Sequence, residues 1–318
     1  MTVDLSPATS EPPAAPAPNP ERAEQALAWA TAVGTSTPEA LAESAATPTR
    51  EDWRALPLAT FRRYLDELLV GRHTQEGLEA LNVCGALEAW MPEVHALVGF
   101  GDGEWRHKDV WKHTKQVVWQ SVPRLPVRWG ALLHDIGKVK TRKIEPSGEV
   151  HFLGHSEVGA AMFRRKVAAR LGFNGELYER VHYLILNHLR ASQYDGDWTD
   201  SAVRRFGKEM GDGLTDLLDL SRADITTKRP EKKKRGLSQI SELSTRIATV
   251  KEEDAKLPPL SKGIGTAIME HFKLAPSKKI GDLKKMLEEE IAAERLEARR
   301  EDEYYLAWLE GRRGELGI

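Results

Sequence analysis

The run Leu132-Leu133-His134-Asp135-Ile136-Gly137-Lys138 sets an imidazole beside a carboxylate at the end of an apolar stretch. The preceding residues, VRWGALL, are apolar on all sides, as in a buried helix, and Gly137 stands where a C-terminal cap belongs. Burying a His and an Asp together is costly unless other groups pair with them. Helical spacing supplies such groups from other segments. In KDVWKHTKQVVWQSV, His113 lies beside the stripe Val110, Thr114, Val117, Ser121. In ELYERVHYLILNHLR, His188 continues the stripe Leu177, Val181, Leu184, Ile185. Asp224 follows Leu214, Leu217, Leu218 and Ser221 on one face, and His155 opens a further apolar helix. A single inward His or Asp is most often a hydrogen-bonded core residue. Five segments aiming such groups at one place call for more than packing. Four His and two Asp, all nitrogen and oxygen donors, suit one or two divalent transition-metal ions.

Stepping out from these residues, the chain of 318 residues is long enough for about two domains. Hydrophobic residues make up 41% and charged residues 30%, and the net charge of −2 argues against a polyanion binder held by global charge while leaving room for a local basic patch. One cysteine, Cys84, leaves no internal disulfide framework. No segment has the roughly 18 apolar residues of a spanning helix, and no signal core is seen, so a cytoplasmic protein without membrane contact is expected. Strand alternation is nearly absent, with EVHFLG at 149–154 as a short hairpin candidate. The expected fold is all-α. Residues 1–20 hold six of the 17 prolines and read as a disordered tail. A helical segment over 21–84 follows, including PEALAESAAT and with Gly34 and Gly71 as helix caps. The metal-bearing region spans 85–235 and a C-terminal helical region 236–318, ending in one long charged helix from Asp282 to about Arg313. Tryptophans 105, 111, 119 and 129 are expected to pack in the core.

The order His113, His134-Asp135, His155, His188, Asp224 resembles the HD superfamily of metal-dependent phosphohydrolases in its six-ligand form. RHKDVWKHT, RWGALLHDIGKVKTRKIEPSGEV, GHSEVGAAM, DGDWTDSAVRRF and SRADITTK are similar to one branch, the HD portion of bacterial CCA-adding tRNA nucleotidyltransferases. GLEALNVCGALEAWMPEV upstream and LPPLSKGIGTAIMEHFKLAPSKKIGDLKKMLEE downstream extend the likeness over roughly 60–295, with Lys262 and Ala275-Pro276-Ser277 departing from the usual loop. The resemblance implies a helical bundle in which Asp135 bridges two ions. His113, His134 and Asp224 would complete one, and His155 and His188 would hold the other; with one ion, His113, His134, Asp135 and Asp224 would suffice. It implies hydrolysis of a phosphate ester of a nucleotide, a cyclic nucleotide or an RNA end, with Asp135 taking part in catalysis.

That branch's nucleotidyl-transfer head needs a Gly-Gly turn and an Asp-x-Asp pair ahead of this region. The chain has no Gly-Gly, and its only Asp-x-Asp, Asp195-Gly196-Asp197, lies downstream. Nucleotide addition by this polypeptide alone is therefore not expected. A non-catalytic RNA- or tRNA-binding module, or the HD half of a split CCA-adding enzyme, are the competing readings. Lys138 is a candidate to neutralise a substrate phosphate in catalysis, against the reading of a solvated lysine at a helix end. Arg142 and Lys143 are further substrate-binding candidates. The basic run at 228–235 suits either an RNA backbone contact or a solvated loop. His107 matches the RHKD stretch, His151 reads as structural, and His182 falls off the His188 face.

Overall fold

A computed structural model describes residues 17–36, 47–101, 109–256 and 258–318. Residues 1–16 of the expected tail, most of PEALAESAAT, Trp105 and His107 lie outside them. The fold is all-α: the elements are helices apart from one hairpin of two two-residue strands. The chain divides into two compact units, the first ending at Arg246 and the second Ile247–Ile318.

The first unit opens with α1 (Pro20–Thr35), α2 (Arg50–Ala55), α3 (Leu58–Leu69), α4 (Thr74–Val83), α5 (Ala86–Trp90) and α6 (Pro92–His95). Asn19 caps α1, and Asp52 of the α2 capping box accepts from the Asn19 and Thr49 N–H groups, tying the two helix starts together. Neither Gly34 nor Gly71 turns left-handed to cap its helix. Gly34 stays inside α1 because α4 crosses there: a Cβ on Gly77 would stand 2.7 Å from the Gly34 Cα. A Cβ on Gly71 would stand 2.3 Å from the Gly34 carbonyl oxygen. These glycines provide clearance.

The helices around the candidate site follow: α7 (Val110–Gln120), α8 (Leu125–Leu133), the short α9 (Lys138–Thr141), α10 (His155–Met162), α11 (Ala168–Arg170), α12 (Gly175–Asn187), α13 (Asp200–Met210) and α14 (Leu214–Ala223). Helix α8 is buried from Val127 onward and packs against α7, α12 and α14. Trp129, Leu132, Leu133, Val117, Leu184, Ile185, Leu217 and Leu220 form the core around it, each at most 0% exposed. Strands β1 (Lys143–Ile144) and β2 (Val150–His151) pair antiparallel between α9 and α10. Among the tryptophans on α7, Trp111 is buried but Trp119 is 49% exposed. Eight residues turn a helix through about 800°, some 80° past two full turns, so Trp119 projects to the edge of the face that buries Trp111. No described helix is long and apolar enough to cross a membrane.

The basic run does not form a loop throughout. Pro230 opens α15 (Pro230–Lys256), so Lys232 to Arg235 occupy its first turns. The second unit contains α16 (Ile264–Phe272), α17 (Lys278–Ala292), α18 (Asp302–Glu310) and α19 (Arg313–Leu316). The expected single helix from Asp282 to Arg313 is broken. Glu294 and Arg299 take positive φ, and Leu296 between them is buried. Leu283 and Leu287 share one small core with Tyr305, Leu306 and Leu309, which a straight helix cannot arrange. Tyr305 Oη donates to the Glu297 carbonyl at 2.8 Å and pins the turn.

Candidate metal centre

Helix ends deliver the polar groups. Asp109 caps α7 by accepting the Lys112 N–H at 3.1 Å, which places His113 in the first turn. His134, His188 and Asp224 are the residues that close α8, α12 and α14. His155 begins α10 after Gly154, whose φ of 75° sets the sharp entry. His134, His155 and Asp135 are buried, His188 likewise, and the Asp224 side chain is 28% exposed.

Three imidazoles are oriented alike. His134 Nδ1 lies 2.8 Å from the Ala131 carbonyl, His155 Nδ1 2.8 Å from that of Phe152, and His188 Nδ1 2.8 Å from that of Ile185. A carbonyl only accepts, so each Nδ1 donates, and in the neutral ring each Nε2 presents a lone pair. His113 Nδ1 instead meets Thr226 Oγ1 at 2.9 Å. The four Nε2 atoms converge. His113 and His134 face each other at 3.3 Å, and His155 and His188 at 3.1 Å. Asp224 Oδ1 is 3.0 Å from His113 Nε2 and 3.6 Å from His134 Nε2. Asp135 reaches both groups: Oδ2 is 3.2 Å from His134 Nε2 and 3.5 Å from His113 Nε2, and Oδ1 is 3.4 Å from His155 Nε2.

Acceptors therefore face acceptors. Buried Asp135 Oδ1 has no hydrogen-bond partner among the described residues, which is costly for a carboxylate unless a cation serves it. Ligand atoms about 2.1 Å from a common ion stand roughly 3.0–3.4 Å apart, the spacing seen here. The donors fall into two sets, His113–His134–Asp224 and Asp135–His155–His188, each with its ligand atoms within 4.8 Å of one another. Their chemistry fits divalent transition metals.

Burial pushes the His188 imidazolium down to about 4 and lowers His155 as well, so both rings are neutral and ready to ligate at pH 7. Burial also disfavours charge on His134, but Asp135 beside it outweighs this and raises it. Burial acts to raise the Asp135 carboxyl, yet His134 and Lys138 hold it well below the carboxylate range. A proton on His134 therefore competes with a metal. The affinity of the stripped protein for metal is expected to fall as pH falls. Binding isotherms at a series of pH values check this; an affinity that does not change with pH would contradict competition between protons and metal for these donors.

A cavity of about 160 Å³ opens onto this centre, lined by Val110, His113, Lys138 and Asp224. Lys138 Nζ donates to Asp135 Oδ2 at 2.6 Å and lies 5.6 Å from the Phe152 ring centre. It is thus bound at the cavity wall and is not a solvated helix end. The Arg142 guanidinium sits 5.4 Å from the Phe100 ring centre, its buried Nε without a partner among the described residues, and Lys143 is exposed on β1. His151 lies in β2 beside Glu149, and His182 stacks on Tyr178, away from the ligands. Arg124 and the Gln120 amide tie α7 and its following turn to α14, the amide donating to the Ala223 carbonyl at 2.7 Å. Sequence reasoning passed over Thr226, whose only signal is its place two residues after Asp224.

Gly137 does not cap α8 left-handedly; its φ is −70°. It is a glycine because α10 passes close. An added Cβ would lie 2.0 Å from the His155 carbonyl oxygen and 2.7 Å from the Gly159 nitrogen. Gly137→Ala is expected to part α9 from α10, moving His155 off Asp135. A cost of roughly 3 kcal/mol lowers Tm by roughly 6–12 °C in a thermal melt, with loss of bound metal. An unchanged melt would refute this packing role.

Comparison with known proteins agrees with this geometry. The HD domain family matches residues 110–229. The chain is 30% identical over 245 residues to the A-adding tRNA nucleotidyltransferase of Deinococcus radiodurans, covering 74% of this chain and 55% of that protein. It is 36% identical over 167 residues to the CC-adding tRNA nucleotidyltransferase of Thermus thermophilus, covering 50% and 37%. A multifunctional CCA protein of Azoarcus sp. is 38% identical over 109 residues, covering 32% and 25%. The chain thus spans about half the length, or less, of these relatives. Residues 110–229 are an HD domain, and the region that contains it is similar to tRNA nucleotidyltransferases.

Proposed function

We propose that the chain is a metal-dependent phosphohydrolase of the HD type, acting on a phosphate ester of a nucleotide, a cyclic nucleotide or an RNA end. The carrying observation is the convergence of four Nε2 atoms and two carboxylates with Lys138 as the sole cationic donor among the described residues around them. His113, His134 and Asp224 would hold one divalent ion, His155 and His188 a second, and Asp135 would serve both through its two oxygens. Such ions, when bound, polarise a phosphate and make water nucleophilic near neutral pH. Asp135, kept ionised, would hold the ions together and take part in the transfer of a proton from the attacking water. Lys138 would bind a phosphate oxygen at the cavity wall, with Arg142 and Lys143 beyond it contributing charge. The cavity opens on the His113–Asp224 side, so the phosphate would enter there.

A reading as a tRNA-binding module, or as the HD half of a split CCA-adding enzyme, is favoured by one observation: the 245-residue likeness to the A-adding enzyme extends well beyond the HD domain. Exposed Lys232, Lys234 and Arg235 would then meet the RNA backbone. The purified 318-residue chain separates these readings. Supplied with divalent metal, it is expected to hydrolyse a monoester, a diester or a cyclic nucleotide, and to add no CMP or AMP to a shortened tRNA. Hydrolysis of none, with salt-sensitive tRNA binding, would favour the module instead.

A further inference from the structure

Three of the converging imidazoles are held by main-chain carbonyls three residues earlier in their own turns, contacts that no side-chain replacement removes. His113 is the exception. Its Nδ1 meets the Thr226 hydroxyl, at 2.9 Å, from a segment 113 residues further along. The same segment supplies Asp224, whose Oδ1 is 3.0 Å from the other nitrogen of that ring. It is also strapped to α7 two helical turns away, where the Gln120 amide donates to the Ala223 carbonyl at 2.7 Å. Residues 223–226 therefore grip α7 at Gln120 and grip both nitrogens of His113. His113 and Asp224 also line the mouth of the cavity.

We infer that Thr226 is a positioning residue: its hydroxyl fixes the His113 ring with Nε2 turned to the centre, and so makes the cavity-side ligand set His113–His134–Asp224 depend on closure of the 223–226 segment. The inference rests on the metal-centre reading above. The hydroxyl bonds to Nδ1 as acceptor or as donor, and either bond fixes the plane of the ring with Nε2 towards the centre; without it the ring is free to turn. Outer contacts of this kind typically carry on the order of 10- to 100-fold in metal affinity. The buried set Asp135–His155–His188 has no such dependence.

Co2+, whose visible spectrum reports imidazole coordination, is the probe. Protein stripped of metal is titrated as wild type, Thr226→Val, Thr226→Ser and Thr226→Ala. His113→Ala and His155→Ala identify which equivalent belongs to which ligand set. Thr226→Val is expected to weaken the equivalent that His113→Ala removes by roughly 10- to 100-fold, and to leave the His155-dependent equivalent unchanged. Thr226→Ser is expected to restore binding to within about threefold of wild type, since it keeps the hydroxyl. Wild-type affinity in Thr226→Val would overturn the inference, as would a Thr226→Ser variant as weak as Thr226→Val. Far-UV circular dichroism is read on every variant. Loss of helix in both Thr226→Val and Thr226→Ala, with Thr226→Ser folded, would make the hydroxyl structural and likewise overturn it. A wild-type chain that takes up no Co2+ would bring down the metal centre itself, a result distinct from the others.

Discussion

Asp135→Ala is expected to abolish phosphate-ester hydrolysis while leaving a folded helical protein. The carboxylate is the one group that reaches both ligand sets, with Oδ2 towards His113 and His134 and Oδ1 towards His155. Deleting it would take a carboxylate oxygen away from each and leave Lys138 without its Asp135 partner at the cavity wall. A loss of at least about three orders of magnitude in kcat/KM is expected, roughly 4 kcal/mol of transition-state stabilisation. The fold survives because α8 is anchored by Trp129, Leu132 and Leu133, all fully buried. Lys138→Ala should cost less, on the order of tenfold, since it removes one point charge and keeps the ligands. Steady-state kinetics with circular dichroism checks both. Full activity in Asp135→Ala would mean that the hydrolysis arises elsewhere.

Removal of metal is the second large effect. The candidate donors come from α7, the ends of α8, α12 and α14, and the start of α10, so an ion would join elements otherwise linked by apolar packing and a few polar ties. A ligand at 100 times its Kd adds about 2.7 kcal/mol per site to the folded state. At roughly 2–4 °C per kcal/mol for a unit of this size, chelation should lower Tm by roughly 5–10 °C for each ion removed. Adding back one or two equivalents of divalent metal should restore it. A melt indifferent to chelator and metal would contradict the centre.

How much of this was legible beforehand depends on the range of the contact concerned. Helical periodicity aims His188 along Val181, Leu184 and Ile185 whatever surrounds the helix, and those residues are buried as the pattern demands. The tandem His134-Asp135 is conspicuous because polar groups interrupt an otherwise apolar run. Gly137 shows the limit. A glycine needed for a left-handed turn and one needed for clearance look identical in a sequence, and the clearance is set by His155 and Gly159, far along the chain. Thr226 has no periodic signal, because it lies in the irregular turn after α14 and its value comes from a ring on α7. The break between α17 and α18 was hidden for a related reason. Charged residues fit a continuous helix locally, and only the shared core of Leu287 and Tyr305 forces the chain to turn back.

The measurement closest to the central claim is the metal content of the chain purified without added metal, taken alongside the same preparation of Asp135→Ala. The convergence of six donors predicts one to two equivalents of a divalent transition metal in the wild type and a large loss in the variant. A wild-type chain free of metal that also refuses added ions, or an Asp135→Ala chain holding as much metal as the wild type, would contradict it.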